Sequence, residues 1–321
     1  MDIADIPNFD PTPEIFEVHS RLAGTMDGCR DIDGMIRAGL TRASEILSVN
    51  SSLAIEGNPL GPCETADIAD GMTVIGPFDE IVETRDALEA YGKIGDWETW
   101  SMGDFLEAQD TMMFGLVETP GFRDHQVVVA EGDRIIYMAP PHHEVEPLMV
   151  RLFEWGGSSK LPPEITGAVV HYYIEAIHPF PDGNGRMGRL WNSKMLTDSD
   201  PSYGMISLET QILRRREEYY DVLERCQHSE PQDCTEFVGF VLDCLTDAFT
   251  SLSHIGDGNI SALLDAMEDR PMTSNEIMER MGLSHKTDFM RRYLNPAIEL
   301  GLVFRTEGGR RSRNQRYRRM V

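Results

Sequence analysis

Apolar positions recur at helical spacing along most of this chain. Between residues 14 and 56, Ile15, Val18, Leu22, Met35, Ile36, Leu40, Ile46 and Leu47 have mostly helical spacing, broken by Gly24, Gly28 and Gly34. That spacing predicts amphipathic helices, and Gly57-Asn58-Pro59 supplies a stop. The same period predicts helices at about 78–92, 100–117 and 145–155, after Pro162-Pro163, and at about 186–197, 210–226 and 234–252. The period changes between Thr119-Pro120-Gly121 and Pro140-Pro141. There Val127-Val128-Val129 and Ile135-Ile136-Tyr137 flank Glu131-Gly132-Asp133, which predicts a β-hairpin in an otherwise helical chain.

Gly256-Asp257-Gly258-Asn259 has the composition of a linker. Beyond it the pattern predicts a helix at about 260–268 and a second from Thr273 to Met281, opened by a Thr273/Glu276 capping box. A turn at Gly282-Leu283-Ser284 leads to a third helix ending near Leu300. Leu302-Val303-Phe304 and Gln315-Arg316-Tyr317 then predict two strands around Gly308-Gly309. Three helices followed by a β-wing make a winged helix-turn-helix pattern. The expected fold class is therefore mainly α: an N-terminal helical region (1–100), a helical core with a hairpin (101–255) and a winged helix-turn-helix unit (256–321). A length of 321 residues accommodates such a division.

Composition narrows the class. With 41% hydrophobic and 26% charged residues and no apolar run near the ~18 residues of a membrane span, no membrane role is expected. The acidic start Met1-Asp2-Ile3-Ala4-Asp5 lacks the basic and apolar regions of a secretory signal, so the expected location is cytoplasmic. Five cysteines without a C-x-x-C pair argue against a disulfide framework or a thiolate zinc site. A formal charge of −25 disfavours nucleic acid over most of the surface, yet seven arginines and one acid, Glu307, lie between Arg305 and Val321. DNA binding through residues 256–321 is therefore an open reading beside protein docking.

The chemistry concentrates between His178 and Arg189, in His-Pro-Phe-Pro-Asp-Gly-Asn-Gly-Arg-Met-Gly-Arg. Gly183, Asn184 and Gly185 lead straight into a predicted helix, so backbone N–H groups and the helix dipole can converge on a phosphate. Arg186 and Arg189 share a helix face and carry forks suited to phosphate oxygens. Asp182 offers one hard carboxylate, enough for a Mg2+ that takes its other ligands from a nucleotide and water. His178 precedes Pro179, which pushes it out of the helix, and its ordinary pKa near ~6.5 suits a general base. Phe180 is of the type to anchor the loop inward. Base, metal ligand, anion cradle and paired arginines together describe phosphoryl or nucleotidyl transfer.

These residues resemble the Fic family signature H-x-F-x-(D/E)-G-N-G-R-x-x-R at every specified position. The resemblance implies a protein adenylyltransferase using ATP and Mg2+. In that reading His178 is the base, Asp182 holds the metal, Gly183, Asn184 and Gly185 grip the α- and β-phosphates, and Arg186 and Arg189 meet the outer phosphates. Glycine at 183 and 185 matches the AMP-transferring pattern rather than that of the phosphate-transferring Doc-like relatives. Tyr137-Met138-Ala139-Pro140-Pro141 is similar to the flap that clamps the target's side chain. The implied substrate is a Tyr, Ser or Thr hydroxyl of a protein, and family members also self-modify and form homodimers.

Ser52-Leu53-Ala54-Ile55-Glu56-Gly57 resembles the (S/T)-x-x-x-E-(G/N) inhibitory motif of the class whose regulatory helix precedes the Fic core. It implies that Glu56, with Ser52, pairs with Arg189 and holds ATP misaligned, and a bidentate pair is the expected geometry. Two alternatives stand: removal of AMP, with Glu56 orienting a water, and a DNA-binding regulator with a nucleotide-sensing core. His142-His143-Glu144 is read as a polar flap edge rather than a metal cluster. His171 is read as a packed or solvated helix residue, and Trp97 and Trp100 as core.

Overall fold

At the centre lies α7 (Pro163–Ile177). Twelve of its fifteen residues are buried, so it must be wrapped on every side. The structure is a computed structural model, and it describes residues 7–9, 11–29, 32, 34–117, 121–131, 134–229, 232–252, 258–306 and 315–320. The wrapping helices are α6 (His142–Ser158), α8 (Asn184–Ser199) and α11 (Thr235–Leu252). Beyond them, α1 (Pro13–Asp27) lies on α11, while α2 (Gly34–Ile55) packs on α4 (Phe78–Gly92) and α9 (Leu208–Arg214). Leu22, Leu40, Val49, Leu53 and Phe105, the last from α5 (Met102–Met112), join Trp191 and Phe237 in one continuous apolar core.

Local chemistry sets several boundaries. Thr12 and Pro13 open α1, the Ser101 hydroxyl accepts from Asp104 N to open α5, and the Thr273/Glu276 capping box is formed. At the end of α2, Gly57 takes a φ of +103° and the Asn58 N–H returns to the Leu53 carbonyl at 3.1 Å. The hairpin pairs β1 (Val128–Glu131) with β2 (Arg134–Met138) in antiparallel register, Val128 opposite Met138, with an irregularity between Val129 and Ala130.

Some elements depart from the periodicity. A short helix, α3 (Pro62–Ala69), lies beyond the Gly57-Asn58-Pro59 stop where the periodicity predicts no element, with Pro62 at its first turn. The expected helix at 210–226 is two helices, α9 and α10 (Arg216–His228), divided at Arg215. Trp97 is buried, but Trp100 is 37% exposed and lies over Gly156 and Gly157, where a Cβ on Gly156 would stand 2.2 Å from its ring.

The C-terminal unit contains α12 (Asn259–Ala266), β3 (Met272–Thr273), α13 (Ser274–Arg280), α14 (Lys286–Phe289) and α15 (Asn295–Glu299). The strands β4 (Val303–Arg305) and β5 (Arg316–Arg319) complete a sheet in the order β3-β5-β4. A wide π turn over Met290–Leu294 splits the last helix, next to Pro296, which has no N–H to continue an α ladder. The unit has its own core around Leu263, Ile277, Phe289 and Tyr317. It also reaches the rest of the chain, because Phe304 packs with Ile46 of α2 and Ala66 of α3. Gly256, Asp257, the Gly308-Gly309 turn, residues 310–314 of the arginine-rich tail and Met1 to Asp5 lie outside the described residues. Among the described residues no helix is long and apolar enough to cross a membrane.

Candidate active site

The turn from α7 to α8 carries the site. His178 closes α7 with φ 53° and ψ 59°, and it is the non-glycine residue with positive φ among those described. Left-handed backbone at a bulky residue is strained and persists only where neighbours impose it. Here Arg123 imposes it. Its buried guanidinium donates from Nε to the His178 carbonyl at 2.7 Å, from Nη1 to that of His125 at 2.9 Å, and from Nη2 to those of Pro140 at 2.6 Å and Ile177 at 3.3 Å. Arg123 N also donates to the Pro179 carbonyl at 2.9 Å. One cation thus ties the exit of the hairpin to the C-terminal end of α7, where the helix dipole favours positive charge. No motif or spacing in the sequence marks Arg123, whose partners at Pro140, Ile177 and His178 lie far along the chain.

The His178 ring makes a long contact, 3.4 Å, from Nδ1 to the Glu175 carbonyl. A carbonyl only accepts, so Nδ1 carries the proton in this bond and Nε2 is left with a lone pair. Burial first, and then the Arg123 charge, lower the imidazole pKa against the opposing pull of Glu175, Asp182 and Glu56. The ring is thereby kept neutral and able to accept a proton.

The loop beneath is rigid. Phe180 is fully buried against Phe105 and Phe122, with ring centroids 5.3 and 5.8 Å away. The Asn184 side chain accepts from Phe180 N at 2.8 Å and donates to the Phe180 carbonyl at 2.9 Å. Its amide therefore braces the loop, and only its backbone is available to a phosphate. Gly183 has φ +83°, no side chain caps the start of α8, and a Cβ at 183 would stand 2.7 Å from Met113 Sδ. An uncapped N-terminus carrying the positive end of a helix dipole fits an anion.

Both arginines are held by carboxylates. Arg186 pairs with Glu83 of α4 through Nη1 and with Asp182 at 3.1 Å through Nη2. Glu83 also accepts from Asn58 Nδ2 at 2.7 Å, which links Arg186 to the end of α2. Arg189 is fully buried. It donates from Nε to Ser52 Oγ at 3.0 Å and from Nη2 to the Ser52 carbonyl at 3.1 Å and Glu56 Oε1 at 2.7 Å. The expected bidentate Glu56 pair is thus replaced by a single-oxygen contact, since Ser52 occupies Nε and shares Nη2. Although burial pulls the Arg189 pKa down, Glu56, Tyr219 and Glu175 outweigh it and keep the guanidinium charged.

Asp182 presents one largely exposed carboxylate, with Oδ1 accepting from Gly183 N at 2.6 Å and from Arg186. A lone carboxylate beside an anion-binding helix end fits a nucleotide-borne Mg2+, which takes few protein ligands. Among the described residues no three metal-ligating side chains converge. The His142-His143-Glu144 run begins α6, with His143 Nε2 3.9 Å from Glu144. His171 is fully buried and faces the Tyr219 hydroxyl at 3.1 Å.

On the hairpin, Met138 and Val128 are exposed opposite one another, Ala139 is buried, and Gln126 Nε2 donates to the Ala139 carbonyl at 2.6 Å. Tyr137 is half-buried, and loss of hydration raises its pKa. In the C-terminal unit, Arg318 pairs with Asp67 at 2.5 Å and Asp70 at 3.3 Å, so this arginine faces α3.

A helical core with a hairpin, a strained histidine at a helix-to-helix turn, and an uncapped glycine-framed helix start define a fold of the Fic type. The Fic/DOC family model matches residues 99–196, and the model described as "Filamentation induced by cAMP protein Fic-like, C-terminal domain" matches residues 258–319. A Fic family protein of Desulfovibrio desulfuricans G20 is 34% identical, with a TM-score of 0.71 and 97% of each chain covered. The chain belongs to the Fic family. Fic-1 (aa134 - 508) from C. elegans, at 23% identity and a TM-score of 0.62, shares the fold over 77% of this chain and 72% of its own. Among named relatives, "Protein adenylyltransferase Fic" of Culex quinquefasciatus is 30% identical over 223 residues, 64% of this chain and 42% of its own length. The Nematostella vectensis protein of that name is 24% identical over 280 residues, 80% of this chain and 63% of its own length. The chain thus spans less than two thirds of these two relatives.

Proposed function

We propose that this chain is a protein adenylyltransferase that moves AMP from ATP to a Tyr, Ser or Thr hydroxyl of a protein, and that Glu56 holds it inactive. The reading rests above all on His178, whose backbone is strained and braced and whose Nε2 is free beside the uncapped start of α8. Relatives that carry the adenylyltransferase name support it.

In this mechanism the target hydroxyl gives its proton to His178 Nε2 as its oxygen bonds to the α-phosphorus. The bond from that phosphorus to the bridging oxygen breaks, and pyrophosphate leaves with the electron pair. Backbone N–H groups of Asn184 and Gly185 and the α8 dipole hold the inner phosphates, Gly183 N being engaged by Asp182, while Arg186 and Arg189 meet the outer ones. Bound Mg2+ would neutralise phosphate charge, held by Asp182. Exposed Met138 and Val128 on the hairpin give a target segment an apolar contact beside backbone hydrogen bonds.

Inhibition follows from the same contacts. Arg189 cannot meet a γ-phosphate while Ser52 and Glu56 occupy Nε and Nη2, so ATP would settle out of line for attack.

The test uses ATP labelled at either the α- or the γ-phosphorus, incubated with Glu56→Gly protein and a cell extract. Label from the α position alone, lost in Glu56→Gly/His178→Ala, is the expected result. Label from the γ position, or equal labelling without His178, would contradict the reading.

A further inference from the structure

Arg189 is buried, charged and unevenly satisfied. Nε and Nη2 have partners in Ser52 and Glu56, while Nη1 is buried without a hydrogen-bond partner among the described residues. Glu175 of α7 lies on that side. A Cβ built on Gly185 would stand 3.0 Å from Nη1, 3.1 Å from Glu175 Oε1 and 2.7 Å from Glu56 Oε1. One guanidinium therefore faces two carboxylates across the bare face of a glycine. The present state joins Arg189 to Glu56, and Glu175 Oε1 instead accepts from the Tyr219 hydroxyl at 2.8 Å.

We infer that Glu175 takes over Arg189 when Glu56 withdraws, which makes Glu175 a positioning residue for the guanidinium. The inference rests on the autoinhibited reading above. Its physical ground is the cost of the alternative. Removing the partner of a buried charge is strongly destabilising, so a switch that only pulled Glu56 away would leave Arg189 isolated in the core. With Glu175 beside the free Nη1, Arg189 keeps a counter-ion from within the core and can turn its other nitrogens to a nucleotide. The same cluster gives Gly185 a role beyond the phosphate loop, since any side chain there would enter the space these three atoms share.

The exchange is coupled to a proton. Burial first, with the Glu56 charge adding to it, pushes Glu175 up to about 7, against the pull of Arg189 and the Tyr219 hydroxyl. Withdrawal of Glu56 removes the like charge and leaves Arg189, so Glu175 ionises. The withdrawn state binds fewer protons and is favoured as pH rises through neutrality. The neighbouring groups do not mask this. His171 is driven well below its ordinary value by burial and Arg189, and burial lowers His178 as well. Tyr219 and Tyr220 on α10 are raised by burial. Glu56, just past the end of α2, and Arg189 on α8 are the remaining charges facing Glu175 among the described residues.

A thermodynamic cycle at pH 8 tests the exchange through the melting temperatures of wild type, Glu56→Gly, Glu175→Gln and the double variant. Each single variant leaves Arg189 one carboxylate and the double variant leaves none. The double variant should therefore melt about 5 °C or more below the additive value. Additive shifts overturn the inference. A second measurement follows AMP incorporation between pH 6.5 and 8.5. Wild-type activity should climb toward that of Glu56→Gly, and Glu175→Gln should not show this climb. An equal climb in Glu175→Gln overturns the proposal. Failure of the function reading itself would appear as no labelling by Glu56→Gly, and the melting cycle would still decide the role of Glu175.

Discussion

The two sides of the α8 start differ in readiness. On the His178 side, a strained histidine, a stapled loop and an uncapped helix end already have the form that the proposed catalysis needs. On the Arg189 side, every charged group is engaged in the protein's own contacts: Arg189 with Ser52 and Glu56, Arg186 with Glu83 and Asp182. In the proposed function, chemistry is prepared on one side and phosphate binding is withheld on the other. Under that proposal, a small movement at the end of α2 would govern the reaction without rebuilding the base.

Changes on the His178 side should therefore abolish activity, and loss of the Ser52 or Glu56 contacts to Arg189 should release it. The largest loss is expected from His178→Ala in the Glu56→Gly background, about 10² to 10⁴-fold in the initial rate of AMP incorporation. A loss below tenfold would break the comparison by removing the base from its assigned role. Arg123→Met orphans carbonyls now held by one guanidinium, at about 1 to 3 kcal/mol for each buried group. It should lower the melting temperature and cut the rate of Glu56→Gly by roughly tenfold, because His178 would lose its imposed conformation. Unchanged kinetics in a folded Arg123→Met would make the brace irrelevant to the base.

Ser52→Ala removes one contact to Arg189 while leaving Glu56, so the wild-type rate should rise by about tenfold, as for loss of one hydrogen bond to a charged group. No rise would place the whole restraint on Glu56. The smallest effect concerns pH. Because burial lowers the His178 pKa, Glu56→Gly should keep its rate as pH falls to the ordinary histidine range and lose it only below that range. A rate already halved above about pH 6.5 would mean that the ring is not in the surroundings described.

Much of this division could be read from residue types. The helical periods, the hairpin, the capping box at Thr273 and the run from His178 to Arg189 depend on local spacing, and local spacing is what a sequence displays. The restraint on Arg189 was legible as a motif, but its geometry was not: Ser52 takes Nε and shares Nη2, leaving Glu56 one oxygen on the guanidinium. Glu83, Arg123 and Glu175 were missed for one shared reason. Each lies far along the chain from most of its partners, as with Arg186 of α8 for Glu83 and Pro140 for Arg123, and no spacing rule joins such pairs. The bracing of the loop by the Asn184 side chain on Phe180 has no signal in the sequence. The short helix α3 and the break at Arg215 also escaped, because tertiary packing overrides weak local preference there.

The central claim is that the Arg189 contacts hold back a competent base, and the initial rate of AMP incorporation from α-labelled ATP, wild type against Glu56→Gly, tests it most directly. The account predicts a rise of about 10² to 10³-fold, equivalent to about 3 to 4 kcal/mol of restraint. Equal rates in the two folded proteins would contradict it.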